Sequence, residues 1–196
     1  MTHRTASVVR ETSETKVSIE LNIDGTGVSE IDSGTRMLDH LLDQIARHGM
    51  FDLKVTSRGD DQHHIVEDVA MCLGRAFNEA LGDKKGIVRM AHALVPMDEA
   101  LSMVAIDISG RGGAVVKASF ARAEIGDLES EMVRHFLLSF AVEARMSLHA
   151  RVECGDNDHH KAESLFKALA RALDSACCVD ARRDDDVPST KGVLER

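Results

Sequence analysis

Apolar positions along this chain switch between recurring at every second residue and recurring at every third or fourth, and the switches come in the same order twice. Val17, Ile19, Leu21 and Ile23 alternate up to the turn cluster Asp24-Gly25-Thr26-Gly27, which predicts a strand or hairpin. After Ser33-Gly34-Thr35, the spacing of Met37, Leu38, Leu41, Leu42 and Ile45 predicts a helix, with Gly49 as its stop. Phe51 to Thr56 alternates again. The helical run from Val66 to Leu81 ends at Gly82, where a residue able to turn left-handed is needed. Strand patterns return at Ala93-Leu94-Val95, Ala100 to Ile108 and Ala114 to Ala118. A helix follows from Leu128 to Met146, then a strand from Leu148 to Val152 and a closing helix from His159 to about Cys178. The order predicts an α+β fold with two sheets, each carrying helices on one face. Residues 1–90 and 91–179 form the two halves, and 180–196 a charged, Pro/Gly-bearing tail that by composition reads as disordered.

The repeat extends to chemistry. His63-His64-Ile65-Val66-Glu67 in the first half returns as His159-His160-Lys161-Ala162-Glu163 in the second, each after Gly-Asp (Gly59-Asp60, Gly155-Asp156). Leu73 matches Leu169, Arg75-Ala76 matches Arg171-Ala172, and Ala80 matches Ala176, so a whole structural unit is duplicated. A single such motif is more often a solvated helix start, with Glu near the positive end of the dipole. Duplication points to a metal centre. Positions i and i+4 share a helix face, so His63 pairs with Glu67 and His159 with Glu163, whereas His64 and His160 are rotated by about 100°. Two motif copies facing each other close around two ions when each His/Glu pair borrows the other copy's odd histidine.

Composition narrows the partners. The chain has 196 residues, 43% hydrophobic, and a net charge of −9. That suffices for one sizeable core or two small fused ones, and the repeat favours the second. Basic residues form no stripe, which disfavours nucleic acid and anionic membranes. With no long apolar run and no signal-peptide pattern after Met1-Thr2-His3-Arg4, a cytoplasmic soluble protein is expected. Cys72, Cys154, Cys177 and Cys178 lack CxxC spacing and read as core thiols. Of ten histidines, His40, His48, His63, His64, His135, His159 and His160 lie on or at the start of expected helices.

Imidazole and carboxylate ligands without thiolate suit a catalytic Mn, Fe or Zn. His40 and His135 precede their histidine pairs by nearly equal distances and are candidates for a further ligand of each ion. Arg89, Arg111, Lys167 and Ser189-Thr190-Lys191 offer what a phosphorylated substrate needs. The residues alone lead to a dinuclear-type His/Glu metal enzyme.

The stretch Leu38-Asp39-His40-Leu41-Leu42-Asp43-Gln44-Ile45-Ala46-Arg47-His48-Gly49 is followed in order by His63-His64-x-x-Glu67-Asp68-Val69 and Pro96-Met97-Asp98-Glu99-Ala100. Asp158-His159-His160-Lys161 with Glu163, and Pro188-Ser189-Thr190-Lys191-Gly192-Val193-Leu194, complete the series. Together they make the chain, from about Arg4 to Arg196, resemble the imidazoleglycerol-phosphate dehydratases of histidine biosynthesis, in their monofunctional form without a phosphatase domain. The resemblance implies a duplicated half of the ribosomal protein S5 domain 2-like kind, a 24-subunit shell, and two Mn2+ ions per active site at subunit interfaces. It implies that His40, His64, His159 and Glu163 hold one ion, and His63, Glu67, His135 and His160 the other. Substrate contacts would come from Glu14, His40, Gln44, His48, His63, Glu67, Arg89, Arg111, Lys167, Ser189, Thr190 and Lys191, with the tail as a closing lid. The implied reaction removes water from D-erythro-imidazole glycerol phosphate to give imidazole acetol phosphate. It would run through a metal-held imidazolate that expels the C3 hydroxyl and a diazafulvene-like intermediate. Glu14, Glu67 and Glu163 are the expected acid/base groups, Glu14 foremost.

The chain departs from the family pattern in a shorter loop before His63, Gln62 where Asp is common, Arg36 for a usual Pro, and Gly112-Gly113 for a Pro-aromatic pair. The last is expected to loosen the strand beside Arg111. Two rival readings are a ferritin-like storage bundle, disfavoured by the strands between the helices and the reversed motif order, and a metal-dependent hydrolase.

Overall fold

A computed structural model describes residues 4–183 and 186–194; residues 1–3, and 184–185 and 195–196 of the expected tail, lie outside the described residues. The first half runs β1 (Thr5–Glu11), β2 (Thr15–Asn22), β3 (Ser29–Asp32), α1 (Arg36–Gly49), β4 (Asp52–Gly59) and α2 (Gln62–Ala80). The second runs β5 (Met90–Met97), β6 (Ala100–Asp107), β7 (Gly113–Lys117), a small hairpin of β8 (Glu124–Ile125) and β9 (Leu128–Glu129), then α3 (Ser130–Glu143), β10 (Ser147–Cys154) and α4 (Asp158–Cys177). Each half folds into a four-stranded sheet, ordered β1-β2-β4-β3 and β5-β6-β10-β7. The last pair is parallel in both, with Ile31 opposite Val55 in one and Val116 opposite Ala150 in the other. The duplicated α+β architecture is therefore present, and the β8–β9 hairpin is what the second half adds.

The helices lie on one face of each sheet as the alternation requires, but they also face each other: α1 packs on α4 and α2 on α3. In consequence the core is one continuous apolar cluster through both halves, from Val17 and Ile19 to Leu169 and Leu173. The expectation of two small fused cores is corrected, because each helix buries one flank on its own sheet and the other on the opposite half. At Gly74 the α2–α3 contact is so close that a methyl group would stand 2.6 Å from Phe140 O and 2.9 Å from Ala144 N.

Helix ends differ in detail from expectation. α2 does stop before Gly82, at φ 58°. Gly49, however, is the last residue of α1, and Met50 takes the left-handed turn. The N-terminus of α1 is capped from the other half: Asp127, at the tip of the β8–β9 hairpin, accepts from Arg36 N (3.0 Å) and Met37 N (2.8 Å). Gln62 bonds the same hairpin, to Asp127 O and Glu129 N, and so braces the hairpin rather than a histidine.

Cys72 and Cys177 are core thiols, and burial pushes their pKa values up to about 11 and about 12. Cys154 and Cys178 are exposed, which corrects the reading of all four as core, since one ends a strand and the other follows the last helix. The described part of the tail contains no helix or strand yet is tied down, with Gly86 N donating to Asp186 O (2.9 Å). No described helix is long and apolar enough to cross a membrane.

Candidate metal centre

The two histidine pairs begin helices because the preceding residues cap them. Asp61 accepts from His63 N (2.7 Å), and Asn157 from His159 N (2.9 Å) and His160 N (3.4 Å). Both caps follow the sequence signal of Asp or Asn just before a helical run, which could have been read from the chain.

On α4, His159 Nε2 lies 3.1 Å from Glu163 Oε2, and His40 Nε2, from α1, lies 3.0 Å from the same oxygen. The other oxygen, Oε1, meets Lys167 Nζ at 2.7 Å. Across the α2–α3 contact, the His63 and His135 rings stand 4.5 Å apart, with His135 Nε2 3.4 Å from Glu67 Oε1. In each trio the ligand atoms fall within 4.8 Å of one another, a spacing that one ion with bonds of about 2.0–2.2 Å can span.

The pairing of helices explains the membership. Each His/Glu pair meets the histidine of the helix packed against it, from the opposite half, so both trios draw on both halves. His64 and His160 join neither. Rotated by about 100° from their neighbours, they meet carboxylates instead: His64 Nδ1 is 3.0 Å from Asp60 Oδ1, and His160 Nδ1 is 2.7 Å from Glu99 Oε2. Within one copy of the chain, then, the motif copies do not exchange their odd histidines.

Burial opposes ionisation of Glu163, but Lys167 and His40 outweigh it and hold the carboxyl down at about 2. Burial, followed by the nearby Lys167 charge, lowers the pKa of His48. His135 Nε2 is sealed from solvent and has no hydrogen-bond partner, an exception among buried nitrogens that a bound cation would remove.

The expected substrate residues fall into two groups. Near the trios, Gln44 Nε2 donates to His40 O (3.1 Å), Lys167 follows Glu163 by one turn, and Glu14, in the β1–β2 turn, brings its carboxylate to 3.9 Å from His64 Nδ1. Arg89 is far away: its N donates to Ala176 O near the end of α4, roughly 25 Å along that helix from His159. Its guanidinium grips Asp107 (2.7 and 3.0 Å) and Pro188 O (2.7 Å), the residue that Ser189, Thr190 and Lys191 follow in the chain. Arg111 is at the same end of the sheet, its N donating to Ser109 Oγ (3.3 Å). Gly112 lies directly on α3, where a methyl group would stand 2.4 Å from Val142 O. The glycine admits a tight contact there, which corrects the expectation of a loosened strand. Residues that sequence reasoning missed are Asp127, Asp60 and Glu99; the first and last act across the fold and leave no local signal.

The family model of imidazoleglycerol-phosphate dehydratase matches residues 33–173. The chain belongs to that family. It is 58% identical over 195 residues to the imidazoleglycerol-phosphate dehydratase of Dehalococcoides mccartyi strain CBDB1, covering all of both chains. Identity to that of Methanothermobacter thermautotrophicus is 53% over 197 residues, covering 99% of this chain and all of the relative. The crystal structure of imidazoleglycerol-phosphate dehydratase from Staphylococcus aureus superposes with a TM-score of 0.83 at 32% identity, covering 90% of this chain and 99% of that one. That from Pyrococcus furiosus, in complex with (S)-C348, gives 0.83 at 33%, covering 95% and 100%. As an imidazoleglycerol-phosphate dehydratase, the chain is a hydro-lyase of histidine biosynthesis.

Proposed function

We propose that the chain dehydrates imidazole glycerol phosphate to imidazole acetol phosphate in the cytoplasm, using two divalent cations, Mn2+ first with Fe or Zn as substitutes, at sites completed between copies of the chain. The observation that carries this reading is the twin incompleteness: two trios of imidazole and carboxylate, and two further histidines facing elsewhere. The donor set is all nitrogen and oxygen, and buried His135 Nε2 makes no hydrogen bond, so the residues fit such ions. His64 of one copy completes the His40-His159-Glu163 trio of another, and His160 completes His63-Glu67-His135. Association in a 24-subunit shell has a physical basis in the outer face of the second sheet, where Met90, Leu94 and Val115 are exposed.

When bound, the cations supply positive charge beside the ring nitrogens, which makes the ring N–H easier to remove. The chain does the rest. Loss of the ring proton, with a proton delivered to the departing oxygen, lets the ring expel the C3 hydroxyl as water, passing through a diazafulvene-like species. Removal of the C2 proton, with a proton returned to the ring nitrogen, then gives the neutral enol that becomes the ketone. Glu14, exposed and next to His64, is placed to carry these protons, with Glu67 as a second carrier. Glu163 has both oxygens engaged, which suits a ligand better than a shuttle. Arg89, Arg111, Ser189, Thr190 and Lys191 sit at the far end of α4 and grip the phosphate of a neighbouring copy's substrate, with 180–196 closing as a lid. Gln44, His48 and Lys167 line the cation side.

The test combines product analysis with light scattering, with and without chelator. Keto product without inorganic phosphate, from a large particle that falls apart when the metal is removed, supports the reading. Phosphate release would point to a hydrolase instead, and an active monomer would refute sites between copies.

A further inference from the structure

Each half of the chain carries its hairpin tip to the same place: Glu14 precedes β2, and Glu99 precedes β6. Both tips reach the loop before the histidine helix, where Asp60 N donates to Glu14 O (3.2 Å) and Asp156 N to Glu99 Oε1 (3.1 Å). The halves then diverge. In the second half Glu99 Oε2 reaches His160 Nδ1 at 2.7 Å. In the first half Glu14 stops at 3.9 Å from His64 Nδ1, and Asp60 occupies that nitrogen at 3.0 Å.

An ionised carboxylate only accepts hydrogen bonds, so in both cases the ring proton sits on Nδ1 and the lone pair on Nε2. His64 and His160 are thus set in one tautomer, with Nε2 turned from the carboxylate that holds the ring. Asp98 Oδ2 lies 3.7 Å from His160 Nε2, beyond hydrogen-bond length. Such an outer carboxylate orients a metal-ligating imidazole and makes it a better donor.

We propose that Asp60 and Glu99 are positioning residues that preset His64 and His160 for cations on another copy of the chain. The proposal rests on the between-copy reading above. It also gives the two hairpin glutamates different work: Asp60 relieves Glu14 of holding a histidine and leaves it available for proton transfer, whereas Glu99 holds its histidine itself. The Asp98-Glu99 turn of the Pro96–Ala100 motif thereby gains a role.

The experiment measures Mn2+ affinity by calorimetric titration in two backgrounds. His40→Asn leaves the site that His160 completes, and His135→Asn leaves the one that His64 completes. In the His40→Asn background, Glu99→Ala should weaken Mn2+ binding by about 10–100-fold while Asp60→Ala has little effect. In the His135→Asn background the order should reverse. Glu99→Gln keeps one acceptor oxygen where Glu99 uses two, Oε1 for Asp156 N and Asn157 N and Oε2 for His160 Nδ1, so it should fall between its parent and Glu99→Ala. The proposal is overturned if Glu99→Ala weakens both backgrounds alike, since that would mean general damage through Asp156 and Asn157, or if it weakens neither. The between-copy reading fails separately, in the unsubstituted protein, if that chain takes up two Mn2+ without assembling.

Discussion

Gly74 lies at the α2–α3 crossing, and replacing it by alanine sets two effects against each other. In an open helix the change stabilises by about 1 kcal/mol, because glycine is the poorer helix former. Here the added methyl would stand 2.6 Å from Phe140 O, 2.9 Å from Ala144 N and 2.9 Å from Glu143 Cβ. These are backbone atoms or atoms next to the backbone, so no side-chain rotation relieves them, and the helices must part. Overpacking of this kind costs about 1–3 kcal/mol, and contacts this short with backbone atoms belong to the upper part of that range, about 2–3 kcal/mol. The contact therefore wins, and Gly74→Ala should destabilise by about 1–2 kcal/mol, with Gly74→Val worse. Urea unfolding of the chelator-treated protein at fixed concentration, followed by far-ultraviolet circular dichroism, reads the change. Because α2 carries His63 and Glu67 while α3 carries His135, Mn2+ affinity at that trio should fall and affinity at the His40 trio should hold. Stabilisation by about 1 kcal/mol would show that the crossing is not as close as described.

Three further outcomes follow from single interactions. Lys161→Met strands the buried Asp158, which Lys161 meets at 2.5 Å, and should cost about 3–5 kcal/mol; a loss below about 1 kcal/mol in the same urea assay would refute the pairing. Glu163→Gln removes a charge that two histidines and Lys167 share, and should lower turnover at least about 100-fold and abolish one Mn2+ site; metal analysis finding two ions per chain would contradict it. Glu99 and Glu163 are held at about 2, below their unfolded value. Their stabilisation of the metal-free protein is present above about pH 4.3 and is lost as pH falls towards 2. His64 and His160 are shifted up by Asp60 and Glu99, so theirs is present at acid pH and lost as pH rises past neutral. Melting temperatures flat from pH 2 to 5 would exclude the acid effect.

The alternation of Val17, Ile19 and Leu21 and the helical spacing from Val66 to Leu81 made the repeated half legible, because one-sided burial leaves a periodic trace. The i, i+4 rule likewise found the His159–Glu163 contact and the separation of His160 from it. What escaped spacing and periodicity was how one half meets the other, although the family resemblance already grouped His40 with His159 and Glu163, and His63 and Glu67 with His135. Nothing near His40 says that it will face α4, nothing near Asp127 says that it will cap α1, and Glu99 reaches His160 across the sheet. The single core was missed for the same reason: periodicity shows that a helix has an apolar face, but not that its flank meets a helix from the other repeat.

Arg89 and His159 stand near opposite ends of α4, so no single polypeptide presents both to one substrate molecule. On the proposed reading, in which substrate sites form between copies of the chain, genetic complementation is the consequence. A chain disabled only at Arg89 and a chain disabled only at His159, inactive when expressed separately, should regain part of the activity when expressed together, since mixed particles then contain some intact junctions.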